Sequence, residues 1–171
     1  MNHNFLSAVI ITFNEENIIT KCINSLDFVN EIIILDSFST DKTIEIASKY
    51  NTKIYQYNFD NYASQRNRAL NLVSKHSNWI LMIDADEIIS PNLKYEILSI
   101  TNDYNNSISL YNVRRKDIYN NKWMKYSSGY PTWFGRLFKK DKVWVERDIN
   151  EEYHTLGKVG FLNEHLLHYP Y

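Results

Sequence analysis

The stretch WILMIDADEII, residues 79–89, decides how the rest of the chain is read. An apolar run of β-strand length passes directly into two aspartates and a glutamate. Burial alone gives no reason to carry carboxylates past the end of such a strand, so Asp84 and Asp86 ask for a positive partner. Side chains alternate along an extended segment, which predicts that residues 84 and 86 project to the same side. Two carboxylates so placed repel unless a cation lies between or beside them. A hard divalent ion such as Mg²⁺ takes oxygen ligands of this kind and lets substrate phosphates complete its shell. A D-x-D tripeptide at a strand end therefore suggests a metal that bridges the protein to a phosphorylated ligand. The competing reading is that the acids cap a helix starting near Ser90 or sit in a solvated loop.

Working outward, three more short runs rich in β-branched residues have strand character: SAVIITF (7–13), EIIILD (31–36) and TKIYQY (52–57). Between them the apolar spacing turns helical, with Ile18, Ile19, Cys22, Ile23 and Leu26 on one stripe and Ala69, Leu70 and Val73 on another. The unbroken apolar character of 31–36 and 79–84 fits strands covered on both faces. Strands alternating with helices at this spacing predict right-handed β-α-β units, hence an α/β fold with a mainly parallel sheet flanked by helices. Ser90 and Pro91 read as the N-cap and first position of a further helix, with KYEILSI (94–100) as a solvated face. Beyond residue 101 the strands read shorter and more polar, predicting a smaller mixed or antiparallel C-terminal part within a single domain spanning 1–171.

The bulk properties narrow the function. A chain of 171 residues suffices for one core, and a net charge of −1 gives no pull toward nucleic acid. One cysteine, Cys22, excludes an internal disulfide framework and suits a reducing cytoplasm. The N-terminus lacks a basic, signal-like region, and no apolar run approaches the roughly 20 residues of a membrane span. The first glycine is Gly129, so neither a G-x-G-x-x-G dinucleotide loop nor a Walker-type loop can occur before it.

In open α/β sheets ligands collect beyond the carboxyl ends of the strands. Those ends carry Phe13, Asn14 and Glu15, then Asp36, then Asp84 and Asp86. Asp36 could accept from a base N–H or a ribose hydroxyl, or could simply end its strand in an Asx-turn. Arg66, near a helix start where cations are disfavoured, needs a partner: an anionic phosphate or the nearby aspartates.

The segments VIITFNEE, ILDSFSTDKT, QRNRAL and MIDADE, in that order and spacing, resemble a family 2 glycosyltransferase of the GT-A fold. RLFKK (136–140), INEEYHTLGKVGFL (149–162) and LLHY (166–169) are similar to its lipopolysaccharide-core glucosyltransferase branch, where an R-L-F element precedes a V-H-E motif and a terminal L-x-H. The resemblance implies a nucleotide-sugar site of Phe13, Glu15, Asp36, Arg66, Asp84 and Arg136. It implies Mg²⁺ or Mn²⁺ on Asp86, with His168 where some GT-A enzymes supply a third metal ligand; the residue reads equally as a half-buried strand histidine. It implies Glu151 as catalytic base, preceded here by Asn150 in place of the family's histidine. Residues 1–100 would form the nucleotide-binding half and 101–171 the acceptor and base half. The implied reaction is inverting transfer from a UDP-sugar to a hydroxyl of a cell-surface glycan or glycolipid. The implied setting is cytoplasmic. The basic run Arg114, Arg115 and Lys116 reads as a solvated face, or as a contact for anionic lipid headgroups at the inner membrane face. Members of the branch run on past the L-x-H element, so an end at Tyr171 implies a truncated or minimal member.

Trp133 and Phe134 read as packing or as an acceptor wall beside Arg136. Two rivals stay open: a non-catalytic sugar-nucleotide-binding module, and a sugar nucleotidyltransferase, against which the glycine-free ITFNEEN speaks. A calcium loop at DADE fails, because the alternating ligands and internal glycine of an EF-hand are missing.

Overall fold

The computed structural model describes residues 4–126, 129–147 and 152–170. The first half alternates as the sequence predicts: β1 (Leu6–Thr12), α1 (Ile19–Asn24), β2 (Glu31–Asp36), α2 (Thr43–Ala47), β3 (Lys53–Gln56), α3 (Tyr62–Leu72) and β4 (Trp79–Asp84). There follow β5 (Glu87–Ile89), α4 (Pro91–Thr101), β6 (Ile108–Tyr119), β7 (Lys122–Trp123), β8 (Trp133–Lys139), β9 (Val143–Glu146), β10 (Glu152–Thr155) and β11 (Lys158–His168). The starts of α3 and α4 are chemically specified: the side chains of Asn61 and Ser90 accept from the N–H groups of Ser64 and Leu93, and Pro91 fills the first helical position of α4.

The main sheet runs β3-β2-β1-β4-β8-β6-β11-β5, with β7 hydrogen-bonded to β6. Its first four strands are parallel, β8 is antiparallel to both β4 and β6, β11 is parallel to β6, and β5 is antiparallel to β11. The C-terminal strands thus extend the same sheet. Only Ala85 and Asp86 separate β4 from β5, yet the two lie far apart in strand order. The sheet must therefore curl, and that curl brings the end of β11 against the turn after β4.

Both faces are packed. Ala8, Ile10, Ile34, Leu81 and Ile83 meet the apolar faces of α1, α2 and α4, while Val9, Ile33, Ile80 and Met82 meet Ala69 and Val73 of the α3 segment together with Phe138. This is why β2 and β4 lack the polar alternation of one-sided strands. The solvated reading of 94–100 needs correction: Ile97 is fully buried, and the Glu96 carboxylate accepts from the N–H groups of Asn163 and Glu164. The short strands β5, β7 and β10 were not foreseen. No helix among the described residues is long and apolar enough to cross a membrane.

Candidate active site

Beyond the carboxyl ends of β1 and β4 lies an open cleft of about 800 Å³. Phe13 and Glu15 enter it from the loop after β1, Asp84 from the end of β4, Asp86 from the β4–β5 turn, Arg66 from α3, Arg136 from β8, Arg115 from β6 and His168 from β11. Phe13 and His168, 155 positions apart in the chain, thus share one wall system because the sheet curls.

The two aspartates do not share one cation. Asp84 Oδ1 accepts from Arg66 Nη2 at 2.8 Å, and Oδ2 accepts from Arg136 Nη2 at 2.6 Å. Both arginine side chains are only 4% exposed, so each needs its carboxylate. Arg136 also donates to Glu87 at 2.8 Å, and the other Glu87 oxygen accepts from the Asp84 N–H at 3.0 Å. Burial works to raise the Asp84 carboxyl, but Arg136 and Arg66 reverse it and hold the group well below the usual carboxylate range. Burial pushes Glu87 up, with Arg136 pulling it back and Asp84 adding to the rise. Of the two partners weighed for Arg66, the structure supplies the aspartate. Both Asp84 oxygens thus accept from buried guanidinium groups, a positive partner borne by the protein itself.

Asp86 has a different environment. Its Oδ2 lies 3.0 Å from His168 Nε2, and His168 Nδ1 lies 2.7 Å from Asp117 Oδ1. Asp117 in turn pairs with Arg115 Nε at 3.1 Å. Burial lowers the His168 pKa, but the hydrogen bond to Asp86 and its charge outweigh this, so the imidazole sits above its ordinary value. Glu15 faces the same acids. Burial first, then Asp86, Asp41 and Asp84, push its carboxyl up to about 7. Its Oε2 is buried without a hydrogen-bond partner among the described residues, which leaves its desolvation a cost.

The remaining expected residues separate. Phe13 stands 54% exposed at the cleft. Asp36 is fully buried and outside the cleft lining: its carboxylate accepts from the Ser39 N–H and Gln56 Nε2, each at 2.9 Å. That is the Asx-turn alternative. Glu151, with Asn150, lies outside the described residues. Phe134 packs between the guanidinium groups of Arg115 and Arg136, 4.5 and 5.4 Å from its ring centre. The 114–116 run is not one solvated face: Arg115 lines the cleft, and Arg114 lies over Trp133.

Sequence reasoning missed Glu87, Asp117 and the aromatic pair Phe59 and Tyr62, which line or support this cleft. For Glu87 a signal existed: it directly follows the D-x-D and opens an apolar triplet, where a solvated acid would be out of place. For Asp117 there was none, since its partner His168 is 51 residues away.

Among the described residues no set of three His, Cys, Asp or Glu side chains converges as a metal cage. Asp86 and His168 nonetheless fit a divalent cation of the Mn²⁺ type: one carboxylate and one imidazole, oriented by Asp117, beside the partnerless oxygen of Glu15. Such an ion needs further oxygen ligands, which phosphates and water supply.

Comparison with known proteins decides the lineage. The family model for Glycosyl transferase family 2 matches residues 7–157. The chain belongs to this family. As a family 2 chain it is 32% identical to an uncharacterized glycosyltransferase of Rickettsia felis, over 96% of its own length and 62% of that protein's. It is 39% identical to the lipopolysaccharide core biosynthesis glycosyltransferase LpsC of Rhizobium meliloti, over 52% of its length and 34% of LpsC. The family 2 chain thus spans about three fifths of the Rickettsia relative. Its GT-A fold is shared with S. aureus TarS, solved in complex with UDP-GlcNAc, at a TM-score of 0.69 and 17% identity over 98% of this chain and 59% of that one. It is shared with glucosyl-3-phosphoglycerate synthase from Mycobacterium tuberculosis, solved with Mn²⁺, UDP and phosphoglyceric acid, at 0.55 and 23% over 67% and 43%.

Proposed function

We propose that this chain binds a nucleoside diphosphate sugar, a UDP-sugar foremost, in the cleft beyond β1 and β4. It transfers the sugar with inversion to a hydroxyl of a cell-surface glycan or lipopolysaccharide-type acceptor. One observation carries the reading: Asp86 and His168 stand paired at an open cleft edge, separate from the buried Arg66–Asp84–Arg136 group that braces the same wall. The UDP-GlcNAc and the Mn²⁺ with UDP held by the two GT-A neighbours support it. So does the LpsC likeness for the acceptor class.

In this reading Asp86 and His168 hold Mg²⁺ or Mn²⁺, which when bound supplies Lewis acidity to the leaving diphosphate. His168 is kept in one orientation by Asp117. The exposed rings of Phe13, Phe59 and Tyr62 offer faces for a base or sugar. Arg115 brings a positive charge into the cleft without the chain's needing a glycine-rich phosphate loop. Arg66 and Arg136 act through Asp84, fixing the turn that carries Asp86. Glu151 takes the acceptor proton as general base. Residues 1–100 supply most of the donor wall, and 101–171 supply His168, Arg136 and the acceptor side. The setting is cytoplasmic.

The test is UDP release from a panel of UDP-sugars with Mn²⁺. Slow hydrolysis by the wild type, abolished in Asp86→Ala, is expected. No release with any donor, or equal release by the variant, would overturn the reading.

A further inference from the structure

Past Asp117, the last β6 residue paired with β11, only β7 lies beside β6 among the described residues. Ile118 pairs with Trp123 and Tyr119 with Lys122, so the connection is the two residues Asn120 and Asn121. Both have positive φ, 47° and 58°, as a type I′ hairpin turn requires, and asparagine tolerates that region. The sequence thus builds a two-stranded tip at the end of β6.

Every residue from 119 to 126 on this tip is exposed. Tyr119 is 52%, Trp123 37%, Met124 37% and Tyr126 92% accessible, a concentration of large apolar side chains that folding of this chain does not bury. Lysines are interleaved with them. The ammonium of Lys116 lies 4.5 Å from the Trp123 ring centre, and that of Lys125 lies 5.6 Å from Trp123 and 5.5 Å from Tyr126. Lys122 stands beside Tyr119 in the ladder. The one acid of the segment, Asp117, is held by His168 and Arg115 and so does not neutralise them.

Amphipathic aromatic rings interleaved with ammonium groups match one environment in particular, the boundary between lipid headgroups and acyl chains. A purely apolar protein face would strip water from three ammonium groups without replacing it. An anionic headgroup layer instead meets their charge while the rings enter the boundary below. We propose that the β6–β7 tip docks this chain on a bilayer surface containing anionic phospholipid, with Trp123 and its neighbours at headgroup depth and Lys116, Lys122 and Lys125 on the phosphates. The docking stands apart from sugar transfer, because none of these side chains lines the cleft.

The experiment is co-sedimentation of the whole chain with phosphatidylcholine vesicles, with and without phosphatidylglycerol, at low and high salt. Binding to the mixed vesicles alone, weakened by salt, is expected. K116Q/K122Q/K125Q should lower partitioning on the order of 100-fold, and Trp123→Ala should lower it further, with unchanged circular dichroism and unchanged Mn²⁺-dependent UDP stabilisation. Should the triple variant fail that fold check, the salt titration of the wild type decides. No sedimentation with the mixed vesicles, equal binding to neutral ones, or salt-insensitive binding would overturn the docking; so would a folded triple variant that binds like the wild type.

Discussion

Asp84 and Asp86 are two residues apart and do different work. The charge facing Asp84 is protein-borne: Arg66 and Arg136 bracket it. Asp84→Ala should therefore destabilise the fold by roughly 3 kcal/mol in urea unfolding, because it leaves two buried guanidinium groups without their shared carboxylate. Asp86→Ala should cost well under that, since its side chain is partly exposed and its partner His168 keeps Asp117. Equal losses in the two variants would contradict the division. Glu151→Gln should reduce sugar transfer about 10²–10⁴-fold while donor affinity is retained, as removal of a general base does; steady-state kinetics beside a binding isotherm checks it. The acids themselves were legible in the sequence, because carboxylates following a buried strand ask for a positive partner. Their partners were not, since Arg136 lies 52 residues and His168 82 residues from the aspartate it meets.

At the level of elements, β2 and β4 were legible to the residue because each is an apolar run that ends on an aspartate. The strands β5 and β10 were not: they are short and open on glutamates, and only pairing with β11 and β9 makes them strands. One junction also gives a pH prediction. Glu31, at the start of β2, accepts from Ser7 Oγ of β1 at 2.7 Å, from Lys53 Nζ of β3 at 2.6 Å and from the Ser74 N–H at 3.1 Å. Burial alone would raise its carboxyl, but these bonds, Lys53 first, lower it below the ordinary value. A lowered carboxylate gives stability that is present above the unfolded-state pKa and is lost as pH falls through the folded one. Glu31→Gln should cost about 1–3 kcal/mol at neutral pH and flatten the acid limb of a stability–pH curve; an unchanged limb would refute the assignment. Gly135 in β8 makes a second junction. A Cβ there would sit 3.0 Å from Cβ and Cγ of Tyr153 in β10. Gly135→Ala should push the β9–β10 hairpin off β8, seen as faster amide exchange in 143–146 and 152–155, with β1–β4 unaffected.

Over the whole molecule, the alternation of strand and helix announced a parallel α/β sheet, and the structure has one in β3-β2-β1-β4. What the alternation does not announce is the curl. The return of β8, β6 and β11 rests on long-range pairing, and it sets His168 against Asp86 at the mouth of a cleft that β1 and β4 begin. The paired Asp86 and His168 are the part of that cleft suited to a divalent cation. The most direct test is calorimetric titration of UDP into the wild-type chain and Asp86→Ala, each with and without Mn²⁺. Binding that needs Mn²⁺ and weakens at least about tenfold in the variant, a change of roughly 1.4 kcal/mol, is what this account predicts. Binding of equal strength without the ion, or in Asp86→Ala, would contradict it.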